Sequence, residues 1–401
     1  MMGQDGDNKK TGRRVSVITG IAWDHRRCWG PLEASIAPYR QEHGIDVRWD
    51  RRSLYSFGEG DLGDFAARYD LVIYDHPFVG DAASKGWLLD LAPFLSEADK
   101  AAFAADEVGA SWRSYAYRGG IWALPIDTAS QTSARRPDLM DRHGWTLPTT
   151  LAEVIDLAGK ARAKGLWVGW PAVPTDLMCT LVSLSASLGR NPGHEAGPFL
   201  APADAPEVVG LLKALAEAVH PKSKEWNPIR CLDHMSTADD VVYAPYLFNY
   251  VNYSTPGAGK PVAFGAVPRL KVGLPARTIL GGAGIGVSAS SSDPEAAFAY
   301  AMYLSSPAYQ ASQYVIHGGQ PGSRTAWTSA ECNRLTGQFF RDCLPVLDAA
   351  YLRPTHPGFV PFFHDATLKL AAVVYEDAPL GAFVDWLNAR YDTIRGPEAT
   401  P

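Results

Sequence analysis

The stretch from Gly119 to Ala158 constrains this chain more than any other part of it. A buried-looking strand over residues 121–124 is expected to stop at Pro125. An acid and small polar residues follow, then a short helix-like piece closing at Gly144. Pro148 cannot continue a helix, and Thr149 or Thr150 can cap the next one with Glu153 reaching back, so an amphipathic helix opens near Leu151. The stretch therefore reads as a crossing from one lobe to another.

The remainder alternates strands and helices. Residues 15–22 read as a buried strand with Trp23-Asp24-His25 at its carboxyl end. Residues 31–43 carry Leu32, Ile36 and Tyr39 at helical spacing, closed by Gly44, and residues 45–49 form a second strand. Such a βαβ opening builds a parallel sheet. A helix over 61–69 and a strand over 71–74 follow, the strand ending in Asp75-His76-Pro77. In open α/β sheets ligands bind just beyond the strands' carboxyl ends, so residues 23–25 and 75–77 point at one crevice. Past the crossing, helices are expected over 151–163, 177–188 and 207–219. Strands are expected over 166–170, 241–246 and 261–267, with a surface loop over 191–206. The second of those helices is apolar nearly all round and should be buried.

With 401 residues, 46% of them hydrophobic and 20% charged, the chain can bury large cores and favours two domains over one. A net charge of −6 argues against a nucleic-acid partner, which requires a basic face. No apolar run approaches the roughly 18 to 20 residues of a membrane span. The five cysteines form neither a C-x-x-C pair nor a Cys/His zinc spacing, and read as buried thiols. Residues 1–12 are polar and Gly-rich, the composition of a disordered tail. Lys9, Lys10, Arg13 and Arg14 have the charge of a signal peptide's basic region. The apolar run after them is short and meets Asp24, His25, Arg26 and Arg27 with no small-residue cleavage site, so it serves better as the first strand.

The order of parts resembles the bacterial extracellular solute-binding proteins of ABC importers, the group that includes maltose-binding protein. The family's "yGlP" strand matches Trp122-Ala123-Leu124-Pro125, and its "P.TW.E" helix start matches Pro148-Thr149-Thr150-Leu151-Ala152-Glu153. Lys85-Gly86-Trp87-Leu88-Leu89-Asp90-Leu91 resembles "G.l.dL". The return pattern matches Gly281-Gly282-Ala283-Gly284, Pro294-Glu295-Ala296, Tyr303-Leu304-Ser305-Ser306, Gln310 and Gly318-Gly319-Gln320-Pro321-Gly322. Two departures stand out: the family's Trp is Leu151 here, and its Tyr-Asn pair falls on Arg135-Arg136. The likeness spans residues 15–394. It implies a type II periplasmic-binding-protein-like α/β fold, with two lobes joined by two or three hinge strands around a ligand cleft. On this reading lobe 1 comprises residues 13–126 and 278–322, and lobe 2 residues 127–277 and 323–395. It also implies a monomer that delivers a small solute, a carbohydrate, to an ABC permease outside the cytoplasm. The unread export signal keeps a cytoplasmic alternative open, an enzyme or ligand sensor of the same fold for an acidic metabolite.

Several residues are candidates for the cleft, each with a structural alternative. Trp23 and Trp170 lie at strand ends where an aromatic face can stack on a sugar ring. Tyr246, with Tyr243 and Tyr250, offers the same surface, and all of these equally fill cores. Asp24, Asp75 and Asp127 directly follow buried strands and can accept from ligand hydroxyls, or else cap helices. His25 and His76 stand in the same places. Gly282 and Ala283 allow close backbone approach, or else belong to a twisted hinge strand. Arg135-Arg136 is a clamp for an acidic ligand or an exposed basic pair. No G-x-S-x-G, H-E-x-x-H, P-loop or C-x-x-C is present, although His25, Cys28, Asp75 and His76 are the makings of a nucleophile and base. No cofactor or metal is expected.

Overall fold

The computed structural model describes residues 17–194 and 197–395. The expected tail over 1–12, and the start of the first expected strand, lie outside them.

The chain opens with β1 (Val17–Trp23), a helix (Arg26–His43), β2 (Asp46–Arg52) and β3 (Leu71–Tyr74). Both β2 and β3 pair with β1 in parallel. The helix begins five residues ahead of Pro31, where helical spacing predicted its start. The reason is a cap: His25 is extended, and its Nδ1 accepts from the Arg27 N–H at 3.1 Å. That earlier start puts Arg27 in the first turn, directly below the end of β1. The helix expected over 61–69 is shorter, Leu62–Ala66, and a further short helix outside the expected elements, Leu54–Glu59, precedes it.

A small hairpin, β4 (Ala116–Tyr117) and β5 (Gly120–Ile121), leads into β6 (Leu124–Arg135), which corrects the expectation of a strand ending at Pro125. Pro125 sits inside a twelve-residue strand. It is tolerated because the neighbouring strand shifts register opposite it, between Ala283 and Gly284, so no ladder N–H is demanded there. The first half of β6 pairs antiparallel with β10 (Leu280–Val287). Its second half pairs with β8 (Val241–Phe248) and β9 (Ala263–Gly265). With β7 (Trp167–Val168) parallel to β8, the sheet order is β2-β1-β3-β10-β6-β8-β7, β9 lying beside β6. One strand thus threads both halves of the molecule. A third passage is pinned to it where Gln320 Nε2 donates to the Thr128 carbonyl at 2.8 Å.

The apolar side chains collect on either side of that passage. Leu124 and Ile126 of β6 pack with Ile18, Trp23, Leu71, Ile285 and Tyr300. Ala134, at the far end of the same strand, packs with Trp226, Leu232, Phe264 and Trp327. The largest cluster lies beyond, joining Leu151, Leu181, Leu212, Phe362 and Leu387. The helix Pro174–Ser187 is buried at every position from Asp176 onward, as an all-round apolar pattern requires. The crossing itself closes as its residues dictate. Thr150 caps the helix Leu151–Arg162, and Glu153 returns the bond in a capping box.

Candidate ligand cleft

A cavity of about 290 Å³ opens where the ends of β1 and β3 face the start of the helix Pro174–Ser187 and the helix Phe359–Tyr375. Trp23, Tyr55, Phe57, Asp75 and Phe78 wall it from one side. Asp176, Phe248, Tyr250, Arg353, Phe359 and Phe363 wall it from the other, and Asp127, Gly281 and Gly282 of the passing strands form its back. The lining is dominated by aromatic rings, with a few polar groups converging among them, the usual make-up of a small-molecule site.

Two ion pairs brace this space. Arg27 donates from Nε to Asp127 Oδ2 at 2.7 Å and from its terminal nitrogens to Asp127 Oδ1 and to the Asn249 carbonyl. Its guanidinium also lies 4.5 Å from the centre of the Tyr250 ring. Burial pushes the Asp127 carboxyl up from its ordinary value, against the pull of Arg27. The pair stays ionised because a guanidinium does not surrender its proton and both carboxylate oxygens are engaged. The second pair joins Asp75, at the end of β3, to Arg353. Burial opposes the Asp75 charge, but Arg353 and His76 outweigh it and hold the carboxyl down at about 2.

Of the residues singled out in the sequence, the fold brings Trp23, Asp75, Asp127, Gly282 and Tyr250 to the cavity wall. Gly282 is at φ +136°, and a Cβ there would lie 2.4 Å from the Asp127 carbonyl oxygen, so the back wall needs a glycine. The other candidates require correction. Asp24 turns outward, its side chain 60% exposed and paired with Arg51 at 3.7 Å. His25 is spent on its cap and meets the cavity only through an edge contact with Tyr250; burial holds its imidazole down at about 4. His76 lies behind Asp75, its Nδ1 3.0 Å from the carboxylate. Trp170 and Tyr246 are wholly buried in the core, Tyr246 donating to the Pro268 carbonyl at 2.6 Å. Tyr243 is buried with them, and Ala283 faces the opposite core.

The Arg135-Arg136 clamp does not form. Arg136 is buried away from the cleft, where it holds Asp138, Asp239 and the Met235 and Ala238 carbonyls. Nor do His25, Cys28, Asp75 and His76 assemble a nucleophile. Cys28 is fully buried, and desolvation pushes its thiol far up, whereas a reactive cysteine needs a lowered value. His220, His234 and Asp240 form a half-buried cluster away from the cavity. The ring of His220 already accepts the Lys222 N–H at Nδ1, so its proton sits on Nε2, the atom a metal would need. The cluster is a hydrogen-bonded one, with His234 Nε2 2.7 Å from Asp240.

Sequence reasoning missed Arg27, Arg353 and Asp176. Arg27 stood two residues past the strand-end triplet, and Asp176 follows Pro174-Thr175, a helix-opening signal that reads as ordinary first-turn acidity.

Over residues 30–311 the sequence matches the family of bacterial extracellular solute-binding proteins. The chain belongs to that family. No curated protein matches it in sequence. Solved solute-binding proteins share its fold at low identity. The maltose-bound MalE3 of T. maritima superposes with a TM-score of 0.82 at 18% identity, over 94% of this chain and 100% of that one. A solute-binding protein of Agrobacterium radiobacter K84 in complex with ribitol gives 0.76 at 18%, over 94% and 98%. One from Thermotoga lettingae TMO bound with α-D-tagatose gives 0.77 at 16%, over 95% and 100%. In this solute-binding protein the contacts of Asp75 with Arg353 and of Arg27 with the Asn249 carbonyl join segments far apart in the chain, as does the bond from the Gly358 N–H to Asp81 Oδ2 at 3.1 Å.

Proposed function

We propose that this protein binds a small polar solute, a single sugar or polyol, in the interlobe cavity and presents it to an ABC importer from outside the cytoplasmic membrane. The observation that carries the reading is the cavity itself, a space of about 290 Å³ walled by aromatic rings of both lobes and braced by ion pairs. That volume is near the lower end of the range of about 300–1,000 Å³ for small-molecule sites, which suits one ring or a short chain over an oligosaccharide. Trp23 and Tyr250 supply faces for C–H surfaces, and Asn227, Asp75 and Asp127 supply polar partners for hydroxyls. The sugars and polyols held by the fold's neighbours support the same class of ligand.

The lobes, taken as residues 13–126 with 278–322 and residues 127–277 with 323–395, close by bending β6 and β10. The monomer with its lobes shut is the form that the permease reads, and the cleft performs no chemistry. Intrinsic fluorescence and thermal-shift titration against neutral sugars, polyols and organic acids test this. Saturable binding of one sugar or polyol with a raised melting temperature is expected, and no response to any of them would overturn the reading.

A further inference from the structure

Asp176 is the one acid of the cavity that the ion pairs leave out. It stands in the first turn of the helix Pro174–Ser187, is 5% exposed and lines the cavity. Asp75 and Asp127 each meet an arginine, whereas the Asp176 carboxyl has no donor or cation within bonding distance among the described residues. Only its backbone carbonyl is engaged, by Thr180. A helix N-terminus favours negative charge. Burial overrides that preference here and pushes the carboxyl up to about 8, with no neighbouring cation to pull it back.

A buried carboxylate without a counter-charge is strongly disfavoured, so Asp176 by itself keeps its proton, and a cation brought in from outside the chain would favour its ionised form. The cavity is prepared for a cation in a second way. The guanidiniums of Arg27 and Arg52 lie over Trp23, Tyr250 and Phe57. Phe78, Phe248, Phe359 and Phe363 also line the cavity, and no cation of the described residues is stacked on their rings.

Resting on the reading of the protein as a solute receptor, we propose that Asp176 is the counter-ion for a basic amine on the ligand, so that the bound solute is an amino sugar or amino polyol. The groups facing Asp176 do not compete for this role. Cys179 lies on its own helix, Cys231 on the helix Pro228–Thr237, and Tyr250 beyond β8. Burial first, and Asp176 second, push the Cys231 thiol up, and burial raises the Tyr250 phenol to about 12. The remaining charges on the wall, those of Arg27 with Asp127 and of Arg353 with Asp75, cancel in pairs. His364 is the one imidazole-bearing residue of the lining.

Calorimetric titration of the full chain with matched pairs tests the proposal: D-glucitol against 1-amino-1-deoxy-D-glucitol, and D-glucose against D-glucosamine, beside a wider panel of neutral sugars and polyols. The amine of a pair is expected to bind at least tenfold more tightly than its neutral partner at pH 7.5. Its affinity should fall by up to about tenfold at pH 6.5, because Asp176 must shed a proton to accept the cation. Asp176→Asn, shown to be folded by its melting curve, should lose both the preference and the pH dependence. His364→Gln, measured alongside, should keep them. If the tightest ligand is neutral, or if Asp176→Asn retains the preference, the proposal is overturned and the solute-receptor reading stands. Binding by no compound at all overturns both.

Discussion

Arg27 and Asp127, separated by 100 residues in sequence, meet in a buried two-bond ion pair at the back of the cleft. Removing one partner strands the other's charge in a low-dielectric site. Arg27→Ala should therefore lose about 3–5 kcal/mol of stability in urea unfolding, and Arg27→Met with Asp127→Leu should recover most of it. A double variant as unstable as the single one would show that the site depends on charge for more than pairing.

Asp75 is paired with Arg353, and its protonation is visible in stability. The carboxyl sits at about 2 in the folded chain against 3.8 ordinarily, so its contribution is complete above pH 3.8 and disappears as pH falls through 2. Between pH 4 and 2 the wild type should lose about 2 kcal/mol more than Asp75→Asn, as measured by denaturant midpoints.

Asp176 has the opposite sign. Its folded value near 8 means that the native state keeps a proton which the unfolded chain has already released above pH 4. Stability from this group therefore declines as pH rises from about 4 to 8. Asp176→Asn should match the wild type near pH 4 and exceed it progressively toward pH 8.5 in thermal melts.

Trp23 lines the cavity and Trp170 does not. A ligand-dependent fluorescence change should vanish in Trp23→Phe and persist in Trp170→Phe, while the second variant melts at a lower temperature because of the void left in the core. The reverse pattern would place the ligand elsewhere.

Gly282 pairs with Thr128 in the passing strands at a backbone angle closed to other residues. Gly282→Ala should cost about 1–3 kcal/mol through strain and the clash with the Asp127 carbonyl. It should also weaken ligand binding, since β6 and β10 must part to admit the methyl group. Unchanged stability would show that the two strands are freer to move than their ladder suggests.

The features legible in the sequence were those written within a few residues of one another. The opening strand-helix-strand unit and the Thr150-Glu153 capping box both follow from neighbouring side chains bonding neighbouring backbone. The crevice at the ends of β1 and β3 follows from parallel pairing. Pro125 misled because its effect depends on the partner strand, whose register shift opposite it is invisible locally.

The sequence by itself determined the opening strand-helix-strand unit, the capped helix at Leu151 and that two strand ends share a crevice, because backbone propensity and capping act over one or two turns. Only the tertiary structure decided which side chains enter that crevice. Trp23 and Trp170 carry the same local signal, yet the Trp170 backbone N–H is held by Ser223 Oγ at 3.2 Å and its indole is turned into the core. The charges were assigned in the same way. Arg27 found Asp127 and Arg353 found Asp75 across 100 and 278 residues, while Asp176 found no cation. Burial and charge pairing are properties of the segments that folding brings together, so adjacent residues do not encode them.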